Sequence, residues 1–122
     1  NFFLGPLFYR DDKNRKPKTK IKLIKIRKKM GWCNDINHQK YNKLIRINKH
    51  IKYEEMFRRD NKYDFVIPIK YNFKKPIKNK GSAIFIHLTE NYKKTLGCIA
   101  LKKKDFLILL KIINKKTKIR IL

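Results

Sequence analysis

Cys98 follows Gly97 at the head of the apolar run Ile99-Ala100-Leu101, and His87 closes the earlier apolar run Ala83 to Ile86. A thiol and an imidazole at the ends of two core segments are the minimum equipment for cysteine acyl chemistry, in which the imidazole takes the thiol proton and sulfur attacks a carbonyl carbon. A free thiol titrates near pH 8.5, so a nucleophilic one needs an imidazole, a nearby cation or converging backbone N–H groups. Gly97 suits the last of these. Without a Cβ it lets a substrate carbonyl approach and lets consecutive N–H groups converge on one oxygen, where losing a donor typically costs about 3 kcal/mol in the transition state. His87 and Cys98 are too distant in sequence to meet along one helix, so folding must join them. Each also has a plainer reading, because a buried Cys commonly packs as a small hydrophobe and a strand-end His as a satisfied ring.

The segments that must position this pair alternate in hydropathy as strands do. Lys20 to Lys28 predicts a half-buried strand with its lysines toward water. Ser82 to Leu88, apolar on both faces, predicts a central buried strand, and Ile99 to Leu101 a short second one. Phe106, Leu109, Leu110 and Ile113 fall at i, i+3, i+4 and i+7, which predicts an amphipathic helix over Lys102 to Asn114 with Asp105 in its first turn. Thr117 to Leu122 reads as a closing strand. Tyr63 to Tyr71 is β-rich, with Pro68 marking an edge or bulged strand. Met30 to Asn42 reads as a long irregular loop of the kind that often carries function, and Tyr53 to Arg59 as a short helix. The sum is a mostly β fold with one or two helices, its sheets mostly antiparallel.

At 122 residues the chain is sized for one domain, residues 1–122, and its 42% hydrophobic content comes in runs suited to a core. Thirty-four Lys and Arg against nine Asp and Glu give a formal charge of +25, which would ordinarily suggest nucleic acid or an anionic surface. The lysines are spread from Lys13 to Lys118 among many Asn and Ile, a composition that AT-rich coding supplies without selection for binding. A solvated, biased surface is therefore the first reading. An anionic cell-wall polymer would suit a basic face as well as RNA would. No stretch approaches the roughly 18 consecutive apolar residues of a membrane span. No secretory leader is visible, and the start at Asn1 is expected to be a processed or trimmed one. Cys33 and Cys98 leave a disulfide, a metal site and free thiols all open.

The residues around the pair narrow the chemistry. Gly81-Ser82-Ala83-Ile84-Phe85-Ile86-His87, then Thr95-Leu96-Gly97-Cys98-Ile99-Ala100-Leu101, then Asp105 and the Leu-rich helix, resemble the catalytic core of the L,D-transpeptidase family in a divergent bacterial branch. Gly31-Trp32-Cys33-Asn34-Asp35, Tyr41-Asn42, Tyr63-Asp64 and Tyr71-Asn72 look like the same branch, so the resemblance runs from about Gly5 to Leu122. It implies an L,D-transpeptidase-like β-sandwich and ping-pong acyl transfer on peptidoglycan. The thiolate attacks the carbonyl of the third-position diamino acid of a tetrapeptide stem, D-Ala leaves, and an amine of a second stem resolves the thioester. By this resemblance Cys98 is the nucleophile, His87 its base and Leu88 the carbonyl that orients the imidazole. The N–H groups of Leu96, Gly97 and Cys98 form the oxyanion hole. Ser82, Thr95, Tyr71, Asn72, Trp32 and Asp35, with Tyr41 and Asn42, are the expected cleft residues.

Two departures bear on substrate. Thr95-Leu96 stand where better-known members carry Ser-His, and Ala100 stands where they carry Arg, which removes a cationic handle for a stem carboxylate. Release of D-Ala by hydrolysis, a carboxypeptidase outcome, is the alternative fate of the acyl group. Two other classes compete. Cys33, His38, His87 and Cys98 as zinc ligands match no compact spacing, and a basic nucleic-acid module lacks an aromatic-basic motif. The expectation is a cysteine acyltransferase of the periplasm or cell envelope, a monomer needing no metal or cofactor, with Cys33 a packed free thiol.

Overall fold

The computed structural model describes residues 1–91 and 98–121. Among these, ten short strands and one helix follow one another as β1 (Phe2–Phe3), β2 (Leu7–Tyr9), β3 (Leu23–Lys25), β4 (Met30–Cys33), β5 (Leu44–Arg46), β6 (Tyr53–Glu55), β7 (Phe65–Pro68), β8 (Phe85–Leu88), β9 (Ile99–Leu101), α1 (Lys103–Ile112) and β10 (Lys118–Ile119). The central sheet has the order β3-β2-β7-β8-β9, a second sheet β5-β4-β6, and β1 pairs with β10. Most pairings are antiparallel, but β2 with β3 and β8 with β9 run parallel, so the central sheet is mixed.

Alternation along the central strands divides the core in two. Leu7, Tyr9, Phe65, Ile67, Ile86 and Leu88 face one way and meet Phe106, Leu110 and Ile113 of the helical segment. Phe8, Val66 and Phe85 face the other way and meet Trp32 and Met56 of the second sheet and its flank. Period-2 alternation is what lets one thin sheet be covered on both sides. Phe106 and Leu110 are fully buried, each contributing about 1.5–3 kcal/mol, and they fix the helix in the absence of a side-chain N-cap.

Several segments differ from their sequence expectation. Residues 53–59 are not helical: Tyr53–Glu55 is β6, an edge strand paired with β4. Seven residues are too few to sustain a helix without tertiary support, and the open edge of β4 offers a full ladder instead. Met30–Cys33, expected as loop, is the middle strand of the second sheet. Gly31 hides its strand character. A Cβ there would meet the Tyr53 ring at 3.0 Å, tighter than ordinary packing, so the close pairing of β4 with β6 favours glycine. The strand containing Pro68 is not an edge: β7 lies between β2 and β8. Pro68 is its last residue, and its carbonyl still accepts the Gly5 N–H at 2.7 Å. The strands expected over 20–28 and 82–88 shorten to Leu23–Lys25 and Phe85–Leu88. The second shortens because Ala83 takes a left-handed backbone, with φ of 54°.

The buried amide of Asn42 joins these parts. Its Oδ1 accepts the Trp32 indole N–H at 2.9 Å and the Ala83 N–H at 3.1 Å, and its Nδ2 donates to the carbonyls of Tyr71 and Asn72. Asn42 itself has a φ of 60°, a conformation asparagine tolerates better than most residues. Asn42→Ala strands two buried donors and two carbonyls, and a loss of about 3 kcal/mol or more is expected in urea unfolding; a loss below about 1 kcal/mol would show that the amide is not a joint.

Candidate active site

His87 lies on β8, and Cys98 immediately precedes β9. The parallel register of the two strands sets Ile86 beside Ile99 and His87 beside Ala100. Residues two apart on a strand share a face, so Cys98 lies on the same face as Ala100 and hence as His87. That face looks toward the second sheet, and Cys98 packs there against the cluster of Phe85, Tyr63 and Trp32. Antiparallel pairing extends the row, with Phe8 beside Val66 and Val66 beside His87, so the imidazole continues an apolar row across the sheet.

The imidazole is held at two points. Its Nδ1 lies 2.8 Å from the Leu88 carbonyl oxygen. A carbonyl only accepts, so Nδ1 carries the proton and the neutral ring presents a lone pair at Nε2. The Tyr63 ring tilts against the imidazole with centroids 6.0 Å apart. His87 is 4% exposed, and burial holds its pKa below the ordinary imidazole value. The positive charges of Lys62 and Arg58 act in the same direction, while the Leu88 bond and Glu54 oppose it.

The half-buried Cys98 thiol donates to the Ala83 carbonyl at 3.3 Å. Burial pushes its pKa up and Glu54 adds to the rise, against a stabilising backbone N–H from Phe85 and the charge of Lys62. A raised thiol beside a lowered imidazole rests as a neutral pair and not as thiolate and imidazolium. Were the sulfur to attack a carbonyl, its proton would have to move in the same step, which is the task of a general base. The Ala83 carbonyl that receives the thiol belongs to the residue with positive φ, and the Asn42 amide anchors that residue from its N–H side. Such conformations cost of order 1–3 kcal/mol and persist where surrounding bonds over-determine them.

Two residues that the sequence did not single out as site residues complete this side. Glu54 on β6 accepts a hydrogen bond from the Tyr63 hydroxyl, and Tyr63 stacks edge-on to Phe85 as well as against His87. Burial and the Glu54 carboxylate push the Tyr63 phenol far above its ordinary range, so it stays a neutral donor. No local signal marks the pair, because Glu54 and Tyr63 lie far from Cys98 in sequence. The pairing of Tyr63 with Asp64 was the one visible hint.

A cleft of about 810 Å³ opens beside the imidazole, its lining including His87, Ala100, Lys13, Lys62, Asp64 and Lys103. Cys98 is not among its lining residues. Buried Asp64 Oδ1 lacks a well-directed hydrogen bond but is neutralised by Lys13 Nζ at 2.8 Å. Lys62 and Lys103 share the lining of this cleft with the small Ala100 side chain.

The structure sets His87 and Cys98 on one face of the central sheet and joins His87 to the Leu88 carbonyl; Leu96, Gly97 and Thr95 lie outside the described residues. Ser82 is half-buried next to Ala83. Trp32 is core, 5% exposed, its ring edge-on to Phe85 at 5.2 Å. Tyr71 donates its hydroxyl to the Lys80 carbonyl, and the Asn72 amide bridges Ile77 and Gly81, so both brace the loop that leads into Ala83. Asp35 accepts the N–H groups of Asn37 and Lys52 at a turn of the second sheet, which hold its pKa below the usual carboxylate range. Cys33 and Cys98 do not form a disulfide, and Cys33 is fully buried. Among the described residues no group of three His, Cys, Asp or Glu could hold a metal ion, and no helix is long and apolar enough to cross a membrane.

The model of one protein family, YkuD, the L,D-transpeptidase catalytic domain, matches residues 8–121. The chain belongs to the L,D-transpeptidase catalytic domain family. Comparisons with curated proteins and with solved structures returned no match. Membership accounts for the mostly β architecture with a helix behind the central sheet, and it places cysteine acyl transfer on peptidoglycan at the level of the family.

The electrostatics give a direct readout. Iodoacetamide under native conditions is expected to label Cys98 ahead of the fully buried Cys33, with a rate that rises through a midpoint above the ordinary thiol value of about 8.5. Peptide mass spectrometry across pH checks both, and a midpoint well below 8.5 would contradict the neutral pair.

Proposed function

We propose that this chain is an active L,D-transpeptidase of the cell envelope that forms a Cys98 thioester with a peptidoglycan stem. The observation that carries the reading is the shared face of His87 and Cys98, with Nδ1 of the imidazole held 2.8 Å from Leu88 O so that Nε2 is the basic atom. In the first half-reaction Nε2 takes the thiol proton as sulfur bonds to the carbonyl carbon of the third-position diamino acid. Collapse of the tetrahedral adduct breaks the bond to D-Ala, whose amine leaves with the proton from His87. In the second half-reaction an amine attacks the thioester, His87 takes its proton, and the thiol is restored. The N–H groups of Leu96, Gly97 and Cys98 serve as oxyanion donors in this scheme.

The cleft beside His87 supports a site for the stem. Lys62 and Lys103, which line the same cleft as Ala100, supply positive charge for a stem carboxylate where the side chain at 100 cannot. Ser82 and Thr95 contact the donor strand of the stem. Trp32, Tyr71 and Asn72 act by holding the backbone around Ala83, and Asp35 by shaping the neighbouring turn. The basic surface favours an anionic wall polymer as the larger setting. Hydrolysis of the same thioester is the competing outcome.

Cys98→Ala is expected to abolish thioester and D-Ala release from tetrapeptide stems, and also the mass shift from a carbapenem; products that persist would refute the assignment. His87→Gln should slow acylation about 10²–10⁴-fold. Because the pKa of His87 is lowered, the base stays unprotonated to lower pH. The acid limb of the acylation rate therefore falls below about pH 6.5, and Lys62→Met, which removes a charge that lowers it, moves the limb upward. A limb above 6.5 in the wild type would be inconsistent with a buried neutral base.

A further inference from the structure

Glu54 is an odd neighbour for a nucleophilic thiol. Its negative charge raises the pKa of Cys98, which disfavours the thiolate. The chain has nine acidic residues against thirty-four basic ones, and most acids with a described partner meet a cation or the backbone. Asp11, Asp12, Asp60 and Asp64 pair with Arg or Lys, and Asp35 with backbone N–H groups. Half-buried Glu54 instead accepts from a neutral phenol, Tyr63, and no Lys or Arg lies within ion-pair distance of it among the described residues.

Its direction follows from register. Glu54 is the cross-strand partner of Trp32, and directly opposed residues of an antiparallel pair project to the same face. The Trp32 ring meets Phe8 and Phe85 of the central sheet, so Glu54 faces that sheet too, on the edge strand β6. Tyr63 holds it there, with its hydroxyl on the carboxylate and its ring against His87 and Phe85. The cations nearby are Arg58, whose guanidinium is bidentate to Asp60, and Lys62, which lies over the Tyr63 ring at 5.6 Å. The result is a fixed carboxylate one side chain from the imidazole, joined to it through Tyr63, with hydrogen-bonding capacity left over.

We propose that Glu54, anchored by Tyr63, is the recognition site for the ammonium group of the acyl acceptor, so that the second substrate is a primary amine and not water. The assignment rests on the acyl-transfer reading above and adds the side chain that selects the acceptor. The amine arrives as an ammonium on Glu54, sheds a proton to solvent, and attacks the thioester as a free amine; His87 then receives the remaining excess proton and returns it to the sulfur of Cys98.

The test is the partition of the acyl-enzyme. Wild type and Glu54→Gln are incubated with a tetrapeptide stem and an amine acceptor such as a diamino acid amide, and the ratio of transfer product to hydrolysis product is measured. That ratio is independent of how fast the thioester forms. The substitution keeps an oxygen to accept from Tyr63 and removes only the charge. The ratio is expected to fall about tenfold or more, with a raised acceptor KM. An unchanged ratio overturns the assignment, and so does a folded variant that forms no thioester, since Glu54 would then act in the first half-reaction. Should Glu54→Gln lose its circular dichroism signal, Tyr63→Phe leaves the charge without its anchor and is expected to lower the ratio about threefold; no change there also overturns it. Absence of any Cys98 thioester in the wild type would instead remove the acyl-transfer reading itself.

Discussion

Four hydrogen bonds to one side chain set the geometry on which the site depends. The Asn42 amide takes N–H groups from Trp32 in the second sheet and from Ala83 at the entry to β8, and gives its own to the carbonyls of Tyr71 and Asn72. Every polar atom is used, which is what makes a buried amide tolerable and also what makes it specific. Through Ala83 the constraint reaches the chemistry directly: the residue is bent into a positive φ, and its carbonyl lies under the Cys98 thiol. A joint between sheets and the seat of the Cys98 thiol are thus one network.

Burial is the second organising fact. It drives the two reactive groups in opposite directions, the thiol up and the imidazole down, because in each case it disfavours the charged form. The charges around them are mixed, Glu54 on one side and Lys62 with Arg58 on the other, so neither ion of the pair is strongly favoured at rest. A pair of this kind stores no thiolate, and the Leu88 carbonyl leaves the free lone pair of the imidazole at Nε2. The overall charge of +25 says little about this balance, which is decided by three or four groups within reach.

Legibility in the sequence followed the range of the interaction. α1 was visible because its stripe of Phe106, Leu110 and Ile113 is a local period, and β8 because Phe85 to Leu88 is apolar on both faces. β4 and β6 were misread because their pairing is non-local: Gly31 looks like a turn until Tyr53 is laid across it, and Tyr53–Glu55 looks helical until β4 offers an edge. Pro68 suggested an edge, yet at the last position of β7 its missing N–H leaves the ladder's earlier bonds intact.

The sequence by itself determined the reactive residue types and their order, His87 then Gly97-Cys98, together with a motif sufficient to place the chain in its family. Those are properties of side chains and of chain order, and they do not depend on what lies nearby in space. Only the tertiary structure decided which atom of His87 is basic, that the pair rests uncharged, that Trp32, Tyr71 and Asn72 hydrogen-bond to the chain itself, and that Glu54 and Tyr63 stand on the same side as the imidazole. Each of those depends on burial and on partners brought from distant parts of the chain, and desolvation and contact exist only once the sheets have closed on each other.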